Sequence, residues 1–131
     1  MGTLPEDQWK AALFNIDQWY AKQLKYLLDR ISSYTEPGGT MLDNSVVMYM
    51  NDLSDGLGHS WMDLPVMLIG SCKGYFKQGQ YIKMTKNGTS NDTDAPSNQL
   101  LTTIGNAMGV PMTNFGSAPT GKTGEFTTLK V

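Results

Sequence analysis

The chain has one cysteine and one histidine in 131 residues. Cys72 on its own cannot close an intrachain disulfide, so the redox compartment cannot be inferred from cysteine usage. A lone His59 excludes multi-histidine metal sites and any His–His acid/base pair within one copy. Charge is also sparse: 17% of residues are charged and the net charge is −2. That leaves no basic footprint for nucleic acid or an anionic membrane surface. Long apolar runs are missing as well. The longest, Val46–Met50 and Leu64–Ile69, are far below the roughly 20 residues of a bilayer span. The first residues carry no basic patch followed by an apolar stretch, so no secretory signal is visible and the chain reads as soluble. Gly2 meets only part of a myristoylation pattern.

Glycine (14) and methionine (9), by contrast, are plentiful. The length suits a single domain with many tight turns, expected over 1–112, with an irregular Gly/Ser/Thr-rich tail over 113–131. The nine methionines are expected as core filler. No internal repeat is present.

One long amphipathic helix is predicted first. Trp9, Leu13, Ile16, Tyr20, Leu24, Leu27 and Ile31 fall at steps of three and four, on one stripe. Thr3 and Glu6 form a capping box with Pro5 in the first turn, and Ser32-Ser33 followed by Pro37-Gly38-Gly39 ends the helix. Ser45–Asn51 and Leu64–Gly70 are apolar without alternation, which suits parallel strands covered on both faces. A short edge strand is expected at Tyr81–Met84 and a surface loop over Thr85–Pro96. A second helix is capped by Ser97 or Asp94, buries Leu100, Leu101, Ile104 and Met108, and ends at Gly109 and Pro111. The fold class expected is α/β, part of a three-layer α/β/α arrangement with mainly parallel buried strands. Two strands and two helices cannot cover both faces of such a sheet. The chain therefore either oligomerises or is the C-terminal piece of something larger.

Chemistry concentrates in Asn51–Trp61, which leaves the first strand at its carboxyl end, where α/β sheets bind ligands. Asp52 and His59 bring a carboxylate and an imidazole to one loop, a combination suited to a divalent metal or to a carboxylate-oriented base. The plainer alternative makes Asp52 and Asp55 turn formers that bond nearby backbone N–H groups, with His59 a loop residue bonded to a carbonyl. Gly116–Thr123 formally satisfies a phosphate-loop pattern but lacks a convincing strand before it and a helix after it. Lys73 beside Cys72 is compatible with an activated thiol, although a buried, inert thiol is the simpler reading. Trp9, Trp19 and Trp61 are better explained by packing than by ligand stacking. Asn87-Gly88-Thr89 and Asn91-Asp92-Thr93 are glycosylation acceptors in form only.

Taken in order, Gly39-Thr40-Met41-Leu42-Asp43-Asn44, Ser45-Val46-Val47, Asp52–Gly56, His59-Ser60, Leu64–Gly70, Gly79-Gln80-Tyr81 and Leu100 through Gly109-Val110-Pro111 resemble the C-terminal part of a large bacterial family of secreted proteins named for an HxxSHH motif. The resemblance covers nearly the whole chain. It implies a distant similarity to the alkaline phosphatase and sulfatase superfamily, and a Ser-His-His element upstream of Met1. It also implies a secreted or periplasmic location and a missing N-terminal part as partner; the uncovered sheet leaves a homo-oligomer as the other partner.

By that resemblance the chain is the distal portion of a metal-dependent hydrolase of phosphate or sulfate esters. Asp52 and His59 would be ligands to zinc or manganese, with Asp55 and Ser60 hydrogen-bonding to them. The pattern departs at Leu53, which stands where the superfamily has a ligand histidine, and at Gln80-Tyr81, where the family tends to carry Arg-His. The nucleophile would lie outside the chain. The alternative function is a non-catalytic binding or assembly module, which the departure at Leu53 favours.

Overall fold

The computed structural model describes residues 5–83, 97–117 and 122–131. It divides into two compact units, 1–41 and 42–131.

The first unit is built on helix α1, Glu6–Ser32. Its start is set by Pro5, whose carbonyl accepts the N–H groups of Gln8 and Trp9 at 3.0 and 3.1 Å without a side-chain cap. Thr3 of the expected capping box lies outside the described residues. Glu6 and Asp7 in the first turn and Arg30 in the last oppose the helix dipole. Lys10–Glu6 and Lys25–Asp29 pair at the i,i+4 spacing. At the far end the Ser32 hydroxyl donates to the Leu28 carbonyl and the Ser33 hydroxyl to that of Arg30, both at 2.7 Å. Two short strands then form a hairpin, β1 (Thr35–Glu36) against β2 (Gly39–Thr40). The turn between them needs a left-handed residue, supplied by Gly38 at φ 93°. No residue of α1 is buried.

The second unit contains strands β3 (Val47–Met50) and β4 (Val66–Ile69), helix α2 (Ser97–Ala107) and a single 3-10 turn at Thr127–Leu129. β3 and β4 pair antiparallel, with Val47 opposite Ile69 and Met50 opposite Val66. This overturns the expected parallel, three-layer α/β/α arrangement. Among the described residues there are two helices and two small antiparallel sheets of two strands each.

Two physical reasons account for the difference. Parallel neighbours need a crossover, usually helical, whereas residues 51–65 contain no helix and return the chain directly alongside β3. The strands are also only partly covered, with no buried residue in either. Along β3, Val47 and Tyr49 are half-buried while Met48 and Met50 are exposed; on β4 the exposed residue is Met67, the register partner of Tyr49 and so on the other face. Methionine at outward positions gives an apolar run without the alternation that marks a half-exposed strand.

The core of this unit is small. Cys72 and Phe76 are its buried apolar side chains, and Thr102 and Thr103 on α2 are fully buried. Leu100, Leu101 and Ile104 are only half-buried and Met108 is exposed, so the buried face of α2 is centred on the threonines. Their hydroxyls donate to the carbonyls of Asn98 and Gln99 one turn back, at 2.7 and 2.6 Å. The same oxygens accept N–H groups from Phe115 at 3.0 Å and Phe126 at 2.8 Å. The expected tail is thereby tied to α2, with further bonds from the Asn98 amide to the Phe115 and Ser117 carbonyls and from the Gln99 amide to that of Thr123. Its last residues also pair with 75–77, through Lys77 N–H to the Leu129 carbonyl and Val131 N–H to that of Tyr75. Residues 81–83 form no strand, and Met84 with the expected loop to Pro96 lies outside the described residues.

Candidate functional site

The link between β3 and β4 holds the four residues singled out for metal chemistry. Its centre is a self-bonded turn in which Asp55 and Ser60 face each other as an antiparallel bridge. Ser60 N–H donates to the Asp55 carbonyl at 3.1 Å, and Ser54 N–H to the Ser60 carbonyl at 2.8 Å. The Asp55 carboxylate accepts the N–H of Leu57 on Oδ1 at 3.0 Å and that of Gly58 on Oδ2 at 3.2 Å. An Asx turn of this kind follows from a short carboxylate beside flexible backbone. A Cβ at Gly58 would stand 2.6 Å from Oδ2, so a side chain there would push the carboxylate out of this turn. His59 closes the turn at φ 50°. Ser60 Oγ accepts the Met62 N–H at 3.2 Å.

Asp55 and Ser60 thus spend their polar atoms on shaping the loop. Asp52 and His59 are exposed on the same link, and neither side chain joins this hydrogen-bond network. Among the described residues, no group of three or more His, Cys, Asp or Glu comes together. A structural zinc site takes four protein ligands and a catalytic one three. With Leu53 unable to coordinate, the residues present do not make up either set. The tip of the loop is apolar, with Leu57 and Trp61 exposed.

A second region of interest lies just past β4. Cys72, Lys73 and Gly74 are successive left-handed residues at φ 48°, 58° and 81°. The conformation is held by Cys72 N–H to the Ser45 carbonyl at 3.0 Å and Lys73 N–H to that of Asp43 at 2.8 Å. The thiol donates to the Ala107 carbonyl at 3.3 Å and lies 3.8 Å from the Met108 sulfur. A cleft of about 340 Å³ opens beside it, lined by Asn44, Cys72, Lys73, Ala107, Met108 and Gly109. The thiol is buried and committed to a carbonyl, which is the geometry of a packing cysteine.

A third cluster has no precursor in the sequence reading. The Tyr75 hydroxyl donates to Glu125 Oε1, and Lys130 Nζ lies 2.7 Å from Glu125 Oε2. The Lys130 ammonium also sits 4.9 Å from the centre of the Tyr75 ring. The hydrogen bond from Lys130, then that from Tyr75, lowers the Glu125 carboxyl below its ordinary range. Burial, then the bond to Glu125, raises Tyr75, and the bond to Glu125 raises Lys130. Fifty residues separate Tyr75 from Glu125, so no local pattern could have joined them.

The phosphate-loop pattern gains no support. Gly121 lies outside the described residues, and no helix opens at Lys122-Thr123. Both Asn-X-Thr acceptors also fall outside them. Among the described residues, no helix is long and apolar enough to cross a membrane.

The apolar stripe of α1 is the largest feature left. Leu13, Ile16 and Tyr20 are 51–53% exposed, and nothing else in the first unit buries any residue of the helix. Trp9 and Leu27 are exposed as well. No family model, curated protein or solved structure matches this chain, so the resemblance to the HxxSHH family stands on the quoted residues alone.

Proposed function

We propose that the chain is an assembly module that works through the apolar stripe of α1. The observation that carries this reading is a 27-residue helix with a continuous stripe of seven large apolar side chains and no buried residue. Helices in water draw most of their stability from covering such a face, not from intrinsic propensity. Full burial of one large apolar side chain is worth about 2 kcal/mol. Seven side chains left half-covered therefore make a strong driving force for taking up another surface. Contiguous exposed apolar patches mark interaction sites for the same reason. The hydrolase reading has the resemblance behind it, and no comparable observation in the loop of Asp52 and His59.

The test uses the full chain carrying a photoreactive phenylalanine analogue in place of Leu13, Leu24 or, on the polar face, Lys22. In an extract of the source cells, positions 13 and 24 are expected to form adducts with the same identified polypeptide, and position 22 none. Two results overturn the proposal. One is crosslinking confined to residues 42–131 of the same molecule. The other is zinc- or manganese-dependent hydrolysis of p-nitrophenyl phosphate that Asp52→Ala abolishes.

A further inference from the structure

The stripe of α1 reads the same from either end. Its steps from Trp9 to Ile31 are four, three, four, four, three, four, and the centre is Tyr20. We infer that the surface α1 takes up is a second copy of itself, laid antiparallel about a twofold axis at Tyr20; this rests on the assembly reading above. In that arrangement Trp9 of one copy is level with Ile31 of the other, Leu13 with Leu27, Ile16 with Leu24, and Tyr20 with Tyr20. An isologous interface requires a surface that is complementary to itself in this way. The average step over the stripe lies close to the 3.6 residues of a straight helix, so the two stripes stay in register along their length without strong supercoiling.

Charge selects the direction. The half of α1 before Tyr20 holds Glu6, Asp7, Lys10 and Asp17, and the half after it holds Lys22, Lys25, Asp29 and Arg30. Glu6 pairs with Lys10 and Lys25 with Asp29 inside the helix. What remains is Asp7 and Asp17 in the first half against Lys22 and Arg30 in the second, with Asp7 and Lys22 on the polar face and Arg30 also donating to the Tyr34 hydroxyl. Antiparallel packing sets the acidic half of each copy beside the basic half of the other. Parallel packing sets like beside like. The difference acts through the summed field of each half of the helix and is strongest at low salt. The macrodipoles favour the same direction.

Sedimentation equilibrium of the wild-type chain between 5 and 200 μM is expected to show a dimer, and Ile16→Asp/Leu24→Asp a monomer at the same concentrations. Direction is read by disulfide trapping in a Cys72→Ser background. Leu13→Cys mixed with Leu27→Cys is expected to give the mixed dimer at least tenfold faster than Leu13→Cys alone gives its own. Lysine crosslinking between isotopically labelled and unlabelled wild-type copies supplies the same answer without substitutions. Lys10 to Lys25 is expected between copies, and Lys10 to Lys10 marks the parallel pair. A parallel pair overturns the inference. So does a monomer up to 200 μM, and if position-13 and position-24 adducts with a different polypeptide persist in that case, the assembly reading stands without self-pairing.

Discussion

The hydroxyl of Thr103 accepts the backbone N–H of Phe126 at 2.8 Å, from a position with no solvent exposure. Its neighbour Thr102 does the same for Phe115 at 3.0 Å. Two adjacent residues of one helix therefore hold two separate stretches of the C-terminal chain. Since each oxygen also donates to a carbonyl one turn back, its orientation is fixed and its lone pair is aimed outward from the helix axis.

Thr103→Val keeps the shape and removes the acceptor. It leaves the Phe126 N–H without its partner, at a cost of about 1–3 kcal/mol. Thr103→Ser, which keeps the oxygen, is expected to lose less. Urea unfolding followed by circular dichroism measures both, and equal loss in the two variants would show that packing, not the hydrogen bond, holds the segment.

Gly70 is a position that backbone closes to a side chain. Its φ is 100°, and a Cβ would stand 2.5 Å from the Ser45 carbonyl oxygen and 2.7 Å from that of Leu42. Both obstacles are backbone, so neither can rotate away. Gly70→Ala is expected to cost more than about 2 kcal/mol, combining backbone strain with the clash. Gly74→Ala, at φ 81° in open space, pays the strain alone. Thermal unfolding of the two variants should rank them in that order.

The Tyr75–Glu125–Lys130 cluster predicts a pH dependence. Glu125 is lowered from 4.5, so its contribution is complete above that value and is lost as pH falls through the lower folded value. Tyr75 and Lys130 are raised from 10.0 and 10.5; their contributions are complete below those values and fade as pH rises through the folded ones. Glu125→Gln is expected to flatten the acid limb of a melting-temperature profile between pH 2 and 5. An unchanged acid limb would place the titrating groups elsewhere.

Isothermal titration calorimetry of the chain with zinc or manganese is expected to show no binding tighter than about millimolar, since the loop brings at most one carboxylate and one imidazole to a metal. Micromolar affinity lost in both Asp52→Ala and His59→Ala would restore the metal reading.

The helices were legible because their signal is local. The stripe from Trp9 to Ile31 lies within α1, and the glycine at 109 follows the end of α2 at Ala107. The strand segments were legible too, but not their direction. Met48, Met50 and Met67 take exposed positions and erase the alternation that marks a partly exposed strand. Hydropathy also passes over Thr102 and Thr103, since a threonine is buried here for its oxygen. In the loop, turn chemistry was readable at Asp55, which bonds Leu57 and Gly58 as that alternative expects, whereas Asp52 and His59 make no such bonds. The meeting of Tyr75 with Glu125 and Lys130 depends on how the last ten residues return to 75–77, which no window of sequence contains.

Met50 and Val66 are register partners across the ladder, so the fifteen residues between them leave and re-enter at points only about 5 Å apart. A segment anchored that way can be exchanged wholesale. A two-residue Asn-Gly turn in its place, or a foreign peptide inserted at Leu57, leaves the pairing of the two strands as it was, which makes this link a natural graft point for an epitope tag or a fluorescent reporter.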